Sequence, residues 1–263
     1  MSNAEDNLTF WDHLDELRST LMRIIGVTAL FGIVAFFFKD WLFDVVLAPT
    51  KSDFATYRLL DRLGAIFGSE TKEFSLSLIN TALAQQFLTH MKTALSAGLL
   101  CAVPYILYAL LAFVTPALYD HEKRYVSALV VCGYVMFMVG VLLGYFLVFP
   151  FTFRFLSTYQ VSGEVVNMIS LDSYMSAFMG MVFLLGLIFE MPILCWMLAK
   201  LHILKAEFMR KYRRHAVVLI LVVAAIITPT SDIFTLSLVS LPMLFLYELS
   251  IAVVSRVNKK TEA

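Results

Sequence analysis

The chain has 263 residues, 60% of them hydrophobic and 15% charged, with 20 Lys and Arg balanced by 20 Asp and Glu. This composition excludes a water-soluble globular domain, and the zero net charge gives no electrostatic footprint for nucleic acid. The apolar runs are too long for barrel strands and lack their alternation, so the spans are predicted to be helices.

Thr9 to Asp12 fits a capping box and predicts a helix starting near Phe10. Leu14, Leu17, Leu21 and Ile24 recur at helical spacing, and Trp11 suits a membrane interface. Residues 1–20 are polar and then amphipathic, so the helix begins on the surface and runs into a first span of about Leu21 to Phe38. That first run has no small-residue cleavage site, so it reads as a retained span. Within it, the run His13 to Arg18 reads from spacing alone as a solvated charged turn, with Asp15 and Arg18 paired at i,i+3.

Residues 39–88 form a long connection. Trp41 to Leu47 is amphipathic and stops at Ala48-Pro49. Apolar spacing through Tyr57, Leu60, Leu63 and Phe67 predicts short helices on the membrane surface. The second span is expected from Thr89 to Leu118, with Pro104 and Pro116 inside it, followed by a charged turn at 120–124. The third runs from Val126 to Phe149, ended by Pro150, and its Gly133, Gly140 and Gly144 permit close helix approach.

The fourth span, Ser173 to Ala199, carries Glu190 well inside, about 13 Å from Lys200 at helical rise. A carboxylate at that depth costs about 2.5–3.5 kcal/mol on insertion scales. Pro192 predicts a bend beside it. Two readings are open: a structural carboxyl bonded to a neighbouring helix, or a contact point for something arriving within the membrane. A basic loop at 200–215 leads to a fifth span, Ala216 to Ile227, only about 18 Å long. A turn at 228–232 and a sixth span, Ile233 to Val254, complete the chain. Cys101, Cys132 and Cys195 fall in apolar runs without metal-ligand spacing and read as apolar filler.

Lys and Arg in short loops cluster in the N-terminus, the turn at 119–125, the loop at 200–215 and the C-terminus. The positive-inside rule then puts both termini in the cytoplasm and the 39–88 connection in the periplasm. Glu16 and Glu122 fall at the cytoplasmic face, Glu190 inside the bilayer and Asp232 at the opposite face. No HExxH, GxSxG, Walker A or GxGxxG motif occurs, no histidine sits mid-span, and no nucleophile–base pair suggests itself. By elimination the sequence favours a scaffold that binds something at its cytoplasmic face and in its bilayer interior.

Several stretches then stand in one order: His13-Leu14-Asp15-Glu16-Leu17-Arg18, Ala48-Pro49, Ala112 to Tyr119 running into Asp120-His121-Glu122-Lys123-Arg124, Phe149-Pro150-Phe151, Phe189-Glu190-Met191-Pro192, and Thr228-Pro229 with Asp232. On these the chain resembles the TatC family, the polytopic subunit of the twin-arginine (Tat) protein translocase. The resemblance implies an all-α, single-domain protein over 1–263, with six transmembrane helices, in the bacterial cytoplasmic membrane. It implies a receptor for twin-arginine signal peptides, working with TatA- and TatB-type single-span partners to export folded proteins on the proton-motive force, as a homo-oligomer within a hetero-complex.

The resemblance also implies that the protein is not an enzyme and needs no cofactor, and it implies residue roles. Glu16 and Glu122 would bind the arginine pair, with Arg18, His121, Arg124 and Phe113 around them. Glu190 would contact partner helices, and Pro49 and Asp232 would serve structure or partner contact. Residues 50–75 match poorly and carry no transferred role. The alternative is a proton-coupled small-molecule transporter using Glu190.

Overall fold

The computed structural model describes residues 10–59, 78–114, 126–159, 167–228 and 233–262. Among these the regular structure is helical, apart from one isolated parallel bridge between Ile79 and Ser170. In chain order the helices are α1 (Phe10–Phe37), α2 (Lys39–Leu47), α3 (Gln85–Val114), α4 (Val126–Leu143), α5 (Phe149–Thr158), α6 (Leu171–Phe189), α7 (Met191–Lys200), α8 (Ala206–Lys211), α9 (Arg213–Ile227) and α10 (Ile233–Glu262). Five stretches are long and apolar enough to cross a membrane: Leu14–Phe37, Gln85–Phe113, Ser127–Thr158, Leu171–Lys200 and Ile233–Lys259. The sixth apolar helix, α9, has 15 residues. That is about 22 Å at helical rise, short of a ~30 Å hydrocarbon core.

The chain forms two compact units, Met1–Phe38 with Ala94–Tyr134, and Lys39–Thr93 with Val135–Ala263. In the first, α1 meets α3 at a glycine pair. A Cβ on Gly98 would fall 2.6 Å from the Gly32 Cα and 2.8 Å from the Thr28 carbonyl oxygen. Only glycine allows that approach. Much of α1 faces outward, with Met22, Ile25, Leu30, Ile33 and Phe37 exposed.

In the second unit a ring cluster fills the core. Phe149 stacks on Phe153 and meets Tyr174 and Phe178 edge-on at 5.2 and 5.0 Å between centroids. Phe178 in turn meets Tyr145, and Tyr145 meets Phe54. Gly140 and Gly144 let α6 approach: a Cβ at Gly140 would lie 2.6 Å from the Leu185 carbonyl oxygen. At the other end, Ala199, Ala206, Met209, Ile251, Val254 and Val257 form a second cluster joining α7, α8 and α10. A hairpin-free turn links α7 to α8: the His202 and Ile203 amides donate to the Ala199 and Leu198 carbonyls at 3.1 and 3.0 Å. This is the Schellman pattern, and His202 holds the left-handed position (φ 59°) usually given to glycine.

Several boundaries differ from those read in the sequence. Pro150 does not end the third span. A π-helical segment, Gly144–Val148, precedes α5, and the helix continues to Thr158. The missing Pro150 amide hydrogen leaves the Phe146 carbonyl without its helical donor, and the Thr56 hydroxyl donates to that oxygen instead. The second span starts at Gln85, four residues early, because the Gln85 Oε1 accepts from the Thr81 and Ala82 amides at 3.2 Å and so caps the helix. The fifth starts at Arg213 and takes Arg213 and Arg214 into its first turn, and the sixth runs on to Glu262. Cys101 and Cys132 are exposed on helix exteriors and do not fill a core.

Candidate functional site

The polar end of α1 carries the first candidates. Asp15, Glu16 and Arg18 are exposed just where the apolar stretch Leu14–Phe37 begins, and Leu17 between them is half-buried. Phe113, near the end of α3, is half-buried. His121, Glu122 and Arg124 lie outside the described residues, as does Asp232. Glu16, Arg18 and Phe113 belong to the first compact unit, Pro49 and Glu190 to the second.

Glu190 sits at a break in the fourth span. Pro192 has no amide hydrogen for the Ile188 carbonyl, and the chain tightens there: the Glu190 amide donates to Leu187 O at 3.1 Å. A new helix starts at once, with the Ile193 and Leu194 amides both donating to Glu190 O at 3.0 Å. The side chain is 5% exposed, among buried Phe189, Pro192 and Ile193. Neither carboxyl oxygen has a hydrogen-bond partner among the described residues. A buried polar group left unmet costs about 1–3 kcal/mol, so an external partner has a free energy to recover there.

Pro49 closes α2, and the carbonyls it strands are met from all sides. The Tyr145 hydroxyl donates to Val45 O at 2.7 Å, and Tyr174 to Val46 O at 2.8 Å. Thr50 Oγ1 donates to Leu47 O at 2.7 Å, and the Lys51 amide to Ala48 O at 3.1 Å. The Tyr57 hydroxyl lies 3.1 Å from Pro49 O and 3.2 Å from Pro150 O, sharing its proton between them. Burial pushes the Tyr57 phenol pKa well above its ordinary value, against a smaller opposing pull from Arg154, so the hydroxyl stays a donor. The Arg154 guanidinium sits 5.7 Å from the Tyr57 ring centroid. Lys92 pairs with Asp172 at 3.1 Å, tying α3 to the first turn of α6.

Sequence reasoning gave no hydrogen-bonding role to Thr56, Tyr57, Tyr145 or Tyr174. Their partners are from 8 to 128 positions away, so no local pattern marks them. The one available signal was that two X-Pro steps in helices strand two carbonyls, and hydroxyls must come from somewhere. Among the described residues no cluster of three or more His, Cys, Asp or Glu is placed to hold a metal.

The family model described as Sec-independent protein translocase protein (TatC) matches residues 12–242. The chain belongs to the TatC family. A TatC from Blattabacterium sp. subsp. Periplaneta americana is 34% identical over 266 residues, covering 99% of this chain and all of that one. A TatC from Desulforapulum autotrophicum is 32% identical, covering 100% of this chain and 90% of its own length. A crystal structure of a twin-arginine translocase receptor TatC superimposes with a TM-score of 0.72 at 30% identity, covering 94% of this chain and 99% of that one. The TatC fold is all-α with six spans, and α9 is its short member here. A TatC protein is a non-enzymatic translocase subunit of the bacterial inner membrane.

Proposed function

We propose that this TatC protein is the receptor for signal peptides carrying consecutive arginines and a core subunit for export of folded proteins. The observation that carries the reading is the exposed Glu16 carboxylate at the polar mouth of the first span, in a chain similar over 94% of its length to a solved twin-arginine translocase receptor. A guanidinium is a rigid fork that pairs bidentately with a carboxylate, which an ammonium cannot do. Glu16 and Glu122 would each take one arginine, with Arg18, His121, Arg124 and Phe113 shaping the surroundings. Exposed pairs contribute only about 0.2–1 kcal/mol, so the signal peptide's apolar segment must add area-dependent affinity against the spans.

In this reading the whole chain acts as one membrane domain with both termini in the cytoplasm, so the arginine pair is met there. Glu190, buried without a hydrogen-bond partner among the described residues, is the contact for single-span partners of the TatA and TatB kind, and Pro49 and Asp232 support the opposite face. Crosslinking of a twin-arginine signal peptide to the purified protein tests this. Glu16→Ala and Glu122→Ala variants, and a lysine–lysine peptide, should each lose the crosslink. Equal crosslinking in every arm would leave only hydrophobic capture and overturn the receptor site.

A further inference from the structure

Where α8, α9 and α10 meet, Arg210, Arg213, Glu248, Ile251 and Ala252 line an open hollow of about 430 Å³. Arg213 Nε donates to Glu248 Oε1 at 2.6 Å, and Arg210 Nη2 to Ser255 Oγ at 3.3 Å. Each of these contacts uses one N–H of a guanidinium that has five. Glu248 offsets one of the two positive charges, so the lining keeps a net positive charge. Its floor is fixed: Ile251 belongs to the cluster with Ala206, Met209, Val254 and Val257, and the Tyr247 hydroxyl holds the Met209 carbonyl at 2.8 Å.

The same face of α10 continues into the membrane-crossing stretch Ile233–Lys259. Leu241, Phe245, Glu248 and Ala252 follow at i, i+4, i+7 and i+11, one stripe of a helix. Leu241 is 64% exposed and Phe245 69%. A positive hollow at the polar end of a span, with an uncovered apolar stripe leading from it towards the bilayer interior, matches a molecule that is anionic at one end and hydrocarbon at the other. Lys259 lies on that stripe one turn beyond Ser255 and adds charge at the outer rim.

We propose that this hollow binds the phosphate headgroup of an anionic phospholipid, with an acyl chain along Leu241 and Phe245. The site uses neither Glu16 nor Glu190, and it does not depend on the signal-peptide reading. Inorganic phosphate would satisfy the arginines but make no use of the apolar stripe, which is why a lipid is the occupant argued for.

Native mass spectrometry of the full-length protein, titrated with phosphatidylglycerol, phosphatidylcholine or inorganic phosphate, tests the assignment. Phosphatidylglycerol should be retained in preference to phosphatidylcholine. Arg210→Gln, which leaves the Arg213–Glu248 pair intact, should weaken that retention about fivefold. Glu248→Gln should strengthen it, because a competing carboxylate is gone. Leu241→Ser with Phe245→Ser should weaken phosphatidylglycerol and leave inorganic phosphate unaffected, while Lys51→Gln, elsewhere on the surface, should change nothing. Equal retention of the two lipids, or full retention by Arg210→Gln, would overturn the site. Inorganic phosphate binding as tightly as phosphatidylglycerol, with no effect of the two serine changes, would make it a free-anion site and overturn the lipid.

Discussion

The Tyr145 hydroxyl donates at 2.7 Å to the carbonyl of Val45, the acceptor that Pro49, four residues on, has no amide hydrogen to meet. The pairing predicts a thermodynamic cycle. Tyr145→Phe should destabilise the protein by about 0.5–1.5 kcal/mol, because the Val45 carbonyl loses its hydroxyl donor. In a Pro49→Ala background an amide hydrogen is available again and the same change should cost much less. Denaturant unfolding in detergent reads both, and an equal cost in the two backgrounds would show that the hydroxyl acts elsewhere.

Close approach at Gly98 makes a second contrast. Gly98→Ala puts a methyl group into the α1 backbone and should cost about 1–3 kcal/mol. Gly26 has nothing within 4 Å of its would-be Cβ. Gly26→Ala should therefore be neutral or stabilise by up to about 1 kcal/mol. Melting temperatures of the two variants test the pair, and similar losses in both would place the constraint somewhere other than the Gly32 contact.

Glu190 should trade stability against assembly. With neither carboxyl oxygen met among the described residues, Glu190→Leu should raise the stability of the isolated protein by about 1–3 kcal/mol. If the proposed partner contact holds, the same variant should lose co-purification with single-span partners. A Leu variant less stable than the parent would mean that the carboxyl already has a partner within the chain.

The short α9 bears on transport. A stretch of about 22 Å can be accommodated by local thinning of the bilayer. Inserting one apolar turn into α9 should reduce export while leaving signal-peptide crosslinking unchanged. Normal export by that variant would remove thinning from the mechanism.

How far the sequence carried the reading can be argued residue by residue. The break at Glu190 was legible because its cause, Pro192, lies two positions away. The six-span fold was legible in the apolar runs, and the family in an ordered set of short motifs that the match over residues 12–242 supports. Pro150 was misread as a stop because the rescue of the Phe146 carbonyl comes from Thr56, 90 positions earlier. Proline removes a donor by local chemistry, but whether a helix survives that loss depends on tertiary neighbours. The start of α9 was set three residues late because the reading began at the first apolar residue, Ala216, whereas the helix already includes Arg213, paired with Glu248 of α10, and Arg214. Of the candidate site, Glu16, Arg18 and Phe113 can be located in the fold, whereas His121, Glu122, Arg124 and Asp232 fall outside the described residues.

The π-helical segment Gly144–Val148 has one further consequence, for insertions and deletions. Gly140, Gly144, Phe149 and Phe153 are all buried, at spacings of four, five and four positions. They share a face only because one turn of the helix holds an extra residue. Removing a single residue from that turn would convert it to ordinary α-helix and rotate everything after it by about 100°. Phe149 and Phe153 would swing out of the ring cluster, and the Pro150 carbonyl would leave the reach of Tyr57. Length in this turn is therefore a constraint of its own, beyond the identity of its side chains: Phe146 stacks on Phe54 with ring centroids 5.7 Å apart, and the position it occupies in the count sets the face that follows.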